Sequence, residues 1–382
     1  MVGAMSGSND IIIAGIGMVP VGEHWDISLR TLGSRAVRTA VAESGGLQPQ
    51  GLFVGNAFGS ILSHQTNLAA LIAEASGLTG VEACSFEADG ASGGAAVRAA
   101  YLAVSSGFLD CAVALGIEKI TENTGTKAAQ TRDLNLNYEY ETMAGMTIPS
   151  GAALLARRYM VEHGLDRDVL DCMSLNAYNQ ACGNPNAFYH LRLDEEKLKK
   201  QALSNAPLGM YDCAALADGA VALVITRMDK LPAQFGHVPV RILGSANAIA
   251  PLSLHDRRNL LHYGASAASA EKAFKHADIS QSEIDIWEIW DAFSIDAILT
   301  REAIGLAPSG EGWKPDGRYY SSMGGCLGRG NPSGAAGAYQ IAEAALQIRG
   351  EAGKCQIEDV QTAFAQCIGG LGGTAVTHIL SR

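Results

Sequence analysis

The chain has 382 residues, 48% hydrophobic and 18% charged, with 44 glycines and a formal net charge of −11. That is enough apolar material to bury a large core arranged as two similar layers or domains. Acidic residues scattered along a net-negative chain exclude a nucleic-acid partner and an anionic membrane surface.

The opening stretch MVGAMSGSND reads as a flexible lead-in. It lacks a basic segment followed by an apolar run, and no stretch reaches about 18 uninterrupted apolar residues, so neither an export signal nor a membrane span is expected. The runs IIIAGIG, GLFVGNAFG and CAVALGIEK then alternate with Ala-rich stretches of helical period, the pattern of strands buried under helices on both sides. Between them, EADGASGGAAVRAAYLAVSSG at residues 87–107 reads as a Gly-rich bend that becomes a helix, with Gly90 at its tip.

From about Thr121 to Pro239 the chain is more polar, with helical segments expected at 151–163 and 166–182, the charged run LDEEKLKKQ and a strand-like GAVALVIT. Most of this region reads as an inserted loop domain. The expected organisation is an N-terminal half formed by residues 1–120 and 221–245, a loop domain at 121–220 and a C-terminal half at 246–382. The second half echoes the first: GASGGAA from Gly90 lies over NPSGAAG from Asn331, matching Ser92 with Ser333, Gly93 with Gly334 and Ala95 with Ala336. Likewise GNAFG at 55–59 matches WDAFS at 290–294, which predicts duplicated halves whose turns converge on one site.

The cysteines, at 84, 111, 172, 182, 213, 326, 355 and 367, form no C-x-x-C pair and have no paired histidines nearby. Neither a metal site nor a disulfide framework is expected, and a reducing cytoplasm fits best.

Several segments together resemble the thiolase superfamily, in its sterol-carrier-protein-type and archaeal acetyl-CoA acetyltransferase-like branch. They are EADGASGGAAVRAA, GMTIPSGAALLARRYMVEHG, APLGMYDCAALADGAVALVIT, LSLHDRRN, EIWDAFSIDAILTREAIGL, GGCLGRGNPSGAAG and QCIGGLGGTAVTHIL. The resemblance implies an α/β thiolase fold with two duplicated α-β-α-β-α halves, a loop domain over the site, and a homodimer. It also implies coenzyme A thioesters as substrates, with no bound cofactor.

Carried over residue by residue, the family's nucleophilic cysteine falls on Gly90, its Gly-His-Pro histidine on Asn331, and its HDAF or NEAF polar residue on Trp290. Only Cys367, in CIGG, is retained among these positions. A covalent acyl-enzyme is excluded at Gly90, while Asn331 can still donate a hydrogen bond to an oxyanion. Cys367 is either a proton shuttle or a buried small cysteine, and Asp291 is either a loop anchor or a general base. Trp290 more naturally shapes a pocket wall, and Tyr319 or Tyr320 would serve as an acid if it faced the pocket.

For the pantetheine arm and its flank, the resemblance points to His255, Arg257 and Arg258 of LHDRR and to Ser333 and Gly334. Arg157, Arg158, Lys197, Lys199 and Lys200 are candidate phosphate contacts or merely solvated cations.

Family members without the cysteine cleave carbon–carbon bonds by retro-aldol chemistry, often with a small zinc-ribbon and OB-fold partner. The expected function is therefore acyl-CoA binding with carbon–carbon bond making or breaking and no acyl-cysteine. The alternatives are a non-catalytic CoA-ester-binding or scaffold subunit, and acyl transfer through Cys84 or Cys367.

Overall fold

A computed structural model describes residues 10–123 and 126–382, so the expected lead-in at 1–9 lies outside the described residues. Its strands are β1 (Ile11–Gly22), β2 (Gly51–Gly55), β3 (Glu82–Phe86), β4 (Cys111–Glu118), β5 (Asp218–Arg227), β6 (Val240–Ile249), β7 (Ile286–Glu288), β8 (Tyr319–Tyr320), β9 (Thr362–Gly369) and β10 (Thr374–Ser381). They are ordered β3-β2-β4-β5-β1-β6-β10-β9-β7-β8.

The two ends of that order repeat one plan. In each half the second strand runs parallel to the third and fourth, the fourth is antiparallel to the fifth, and the fifth is antiparallel to the first. The strands of the two halves pair only where Ile12 faces Arg241 and Ile13 faces Val240. Because β6 pairs with β10 along nearly its whole length, it opens the second half. The strands of the second half thus begin with β6.

The longer helices are α1 (Leu29–Glu43), α2 (Ser92–Ser105), α3 (Ile148–His163), α4 (Asp168–Ala181), α5 (Gly264–Ala277), α6 (Ser294–Ala303) and α7 (Ala336–Arg349). Helices α2 and α7 lie against each other between the sheets, while α1 covers β1 and β5 from outside and α5 covers β6 and β10. The result is the expected α-β-α-β-α layering. None of the described helices is long and apolar enough to cross a membrane.

Glycines permit the central crossing. A Cβ on Gly93 would come within 2.8 Å of Ala338 N, and one on Gly337 within 3.0 Å of Gly94 N. With those side chains absent, the N-termini of α2 and α7 meet at one point. Each helix is entered the same way, through a residue of left-handed conformation, Asp89 at φ 50° or Ser333 at φ 38°, that begins a short 3₁₀ turn. GASGG at 90–94 thus corresponds to GAAGA at 334–338, and the match of Ser92 with Ser333 is three residues out of register. Runs of Gly, Ala and Ser align almost equally well in several registers, so only the backbone conformation separates them.

The loop domain leaves β4 and returns at β5, with helices α3 and α4 close to the expected ranges. Asp218 closes its base by accepting hydrogen bonds from Ile120 N at 2.6 Å, Thr121 N at 2.8 Å and the Thr121 hydroxyl at 2.7 Å.

On β10, His378 is buried with Nε2 3.1 Å from Gly94 O, and burial pushes its pKa down to about 4. The unfolded chain therefore binds the proton more readily, so stability present above pH ~6.5 is lost as the pH falls towards 4, by about 3 kcal/mol. Replacement His378→Gln is expected to flatten this acid limb, measured as the shift in urea midpoint between pH 7 and 4.5.

Candidate functional site

The helix N-termini, the turn after β9 and the segment after β7 enclose a pocket walled by Asp89, Gly90, Arg132, Ile148, Trp290, Phe293, Asp296, Asn331, Ser333 and Gly370. Its free volume is about 10 Å³, room for roughly one water. Of the residues singled out in the sequence, Gly90, Trp290, Asn331 and Ser333 come together here.

The indole explains the small volume. Trp290 ends the apolar run IDIWEIW and is 3% exposed. A Cβ on Gly90 would overlap its Cη2 and lie 2.6 Å both from its Cζ2 and from Ile368 O. The space a side chain at 90 would need is therefore already filled.

Polar groups ring this contact. Asp89 Oδ2 accepts from Gly370 N at 2.8 Å and Oδ1 from the Ser333 hydroxyl at 3.4 Å, while burial raises its pKa against the pull of the Gly370 and Gly90 N–H groups and of Arg132. Asp296, in the first turn of α6, accepts from the Tyr263 hydroxyl at 2.7 Å and from Phe293 N at 3.2 Å. Burial pushes its carboxyl up to about 6. Asn331 Oδ1 accepts from Ser333 N at 2.9 Å, which leaves its amide N–H pair without an acceptor among the described residues. The guanidinium of Arg132 sits 4.9 Å from the centre of the Phe293 ring.

Asp296, Tyr263 and Arg132 escaped the sequence reasoning. Asp296 occupies the third position of a helix, where an acid ordinarily caps, so its pattern suggests structure alone. Arg132 belongs to no spacing that marks a site.

Other candidates lie elsewhere. The Cys367 thiol is buried at the crossing of α2 and α7, 3.6 Å from Val376 O and 3.9 Å from Ala91 O, and burial pushes it up to about 12. It is not among the residues that line the pocket. Asp291 Oδ1 accepts from Cys326 N at 2.6 Å, and burial pushes this carboxyl to about 7. It anchors the turn that precedes Asn331. Cys326 is buried behind it, and Cys84 is exposed on β3. Tyr320 donates to Asp316 and Tyr319 is exposed, so neither phenol faces the pocket.

A larger cleft of about 540 Å³ is lined by Tyr140, Met146, Leu154, Leu155, Leu254 and His255, among others. Helix α3 spans both cavities, from Ile148 to Leu154 and Leu155, about 10 Å apart along the helix. His255 and Arg258 are exposed at this side. Arg257 instead spends its donors on the carbonyls of Pro251 at 3.0 Å, Leu252 at 3.2 Å and Leu371 at 2.6 Å, so it clamps the loop. Gly334 faces away, its N–H 3.3 Å from Glu118. Lys197, Lys199 and Lys200 pair with acids on their own helical segment, and Arg158 pairs with Glu162 at the cleft.

Far from both cavities, Glu43, His237 and Glu351 bring ligand atoms within 4.8 Å of one another. Arg349 already pairs with Glu43 there, at 2.5 Å, and offsets that charge.

The Gly90–Trp290 contact has a measurable cost. Replacement Gly90→Ala is expected to destabilise by about 1–3 kcal/mol through overpacking. In a Trp290→Ala background that cost is expected to shrink, giving a coupling above about 0.5 kcal/mol in a double-mutant cycle of urea unfolding. Additive effects would show that the indole does not fill this space.

Comparison with known proteins agrees with this geometry. Residues 11–191 match the thiolase N-terminal domain and residues 246–382 the thiolase C-terminal domain-like family. The acetyl-CoA acetyltransferase of Methanothermobacter thermautotrophicus is 35% identical, covering 98% of this chain and 100% of the relative. That of Methanocaldococcus jannaschii is 30% identical, covering 97% and 99%. A solved Ltp2–ChsH2(DUF35) aldolase superposes with a TM-score of 0.82 at 23% identity, covering 99% of each chain. The chain belongs to the thiolase family.

Proposed function

We propose that this protein binds an acyl-CoA thioester and cleaves a β-hydroxyacyl-CoA by retro-aldol chemistry, without an acyl-cysteine. The observation that carries the proposal is the filled nucleophile position: the indole occupies the space at Gly90, while two carboxyls of raised proton affinity line the same pocket. Retro-aldol cleavage needs a base and an oxyanion site and no nucleophile. The likeness to a solved aldolase supports the same chemistry.

In this mechanism the thioester arm lies in the apolar cleft, and the acyl end displaces the Trp290 ring to enter the pocket. The Asp296 carboxylate, oriented by Tyr263, takes the β-hydroxyl proton. The Cα–Cβ bond then breaks, its electron pair passes to the thioester enolate, and a ketone or aldehyde leaves. The Asn331 amide and the N-terminus of α2 hold the enolate oxygen. The proton taken up by Asp296 then passes to Cα, which yields the shorter acyl-CoA and restores the carboxylate.

A homodimer fits the free edge of β3, where Glu82, Cys84 and Ser85 are exposed and a second copy would cover unpaired backbone. A small zinc-ribbon and OB-fold partner is part of the proposal by likeness to the aldolase complex. Eight free cysteines fit a reducing cytoplasm. One observation favours the second reading, a CoA-ester-binding subunit without chemistry: the closed pocket of about 10 Å³.

The test follows shorter acyl-CoA and carbonyl product from a series of β-hydroxyacyl-CoA substrates. The base must be ionised, so the rate is expected to rise with pH through about 6. Replacement Asp296→Asn is expected to lower kcat by about 10²–10⁴-fold and to remove that limb. No cleavage at any pH, with acyl-CoA still bound, would favour the non-catalytic subunit.

A further inference from the structure

Other half-buried and buried arginines among the described residues each hold at least one carboxylate or carbonyl acceptor. Arg167 holds Asp171 and Asp212, Arg257 holds three carbonyls, Arg301 holds Lys314 O and Asp316, and Arg329 holds Glu343. Arg132 differs. It is half-buried on the wall of the pocket, and its guanidinium carbon lies 4.9 Å from the centre of the Phe293 ring. No described residue accepts a hydrogen bond from its side chain.

The two nearby carboxyls do not take that role. Asp89 is occupied by Gly370 and Ser333, and Asp296 by Tyr263 and Phe293. Neither forms an ion pair with Arg132. The segment is nevertheless fixed in place, because the next residue, Asp133, accepts from Ile148 N at 2.8 Å and so ties Arg132 to the start of α3.

A guanidinium on a pocket wall, with an aromatic ring beside it and no acceptor among the described residues, is matched by a carboxylate that accepts two parallel hydrogen bonds. In the mechanism proposed above the thioester oxygen is held by Asn331, which leaves Arg132 for another group of the substrate. We propose that Arg132 reads a free carboxylate on the acyl group, which makes the substrate class the CoA monothioesters of carboxylated acids. This rests on the acyl-CoA function proposed above and narrows its substrate.

The test is calorimetric titration of the full-length protein with glutaryl-CoA, valeryl-CoA and CoA, which share a length or a handle and differ in the terminal carboxylate. Wild type is expected to bind glutaryl-CoA about 10- to 100-fold more tightly than valeryl-CoA. In Arg132→Gln that preference is expected to vanish while valeryl-CoA affinity stays, and Arg132→Lys is expected to keep part of it. Equal affinity for the two acyl-CoAs in wild type overturns the proposal and leaves acyl-CoA binding standing. An equal loss for all three ligands in Arg132→Gln also overturns it, since Arg132 would then meet the CoA phosphates. Failure of both acyl-CoAs to bind overturns this inference and the proposed function together.

Discussion

The contact between the Trp290 indole and the bare backbone at Gly90 decides what this site can do. A helix N-terminus normally suits an anionic nucleophile, because its unpaired N–H groups and dipole favour negative charge. Here that end of α2 persists, with an aromatic ring in the space where a reactive side chain would stand. That helix end presents its N–H groups with no side chain at position 90. What remains is suited to holding an oxyanion.

That contact depends in turn on the crossing of α2 and α7. Gly93 and Gly337 let the helices approach closely enough to bring Asp89, Ser333 and Asn331 to one point. Asp89 and Ser333 hold equivalent places in the two halves and touch across the pseudo-twofold. One half has kept a carboxyl there and the other a hydroxyl, so a symmetric frame presents an asymmetric site. Desolvation raises the proton affinity of Asp89 and Asp296, a cost to folding that is common where acid–base work is done.

Much of the fold was legible because strands buried on both faces leave continuous apolar runs, as in DGAVALVITR. The turns that carry Gly90 and Asn331 were legible because the segments around them match the family. The placement of Cys367 and Arg257 was not legible, since a sequence shows a residue's type and not the direction its side chain takes. One thiol turns into the helix crossing and one guanidinium clamps three carbonyls. Asp296 was hidden because a capping acid and a catalytic acid look identical at the start of a helix. Arg132 was hidden because its meaning lies in partners it lacks.

The central claim is that carbon–carbon chemistry proceeds at this site with no covalent link to the protein. The most direct measurement is a single-turnover reaction with a β-hydroxyacyl-CoA, quenched at intervals and read by intact-protein and small-molecule mass spectrometry together. The account predicts shorter acyl-CoA and a carbonyl product while the protein mass stays unchanged at every time. An acyl adduct on any cysteine that forms and decays with turnover would contradict it.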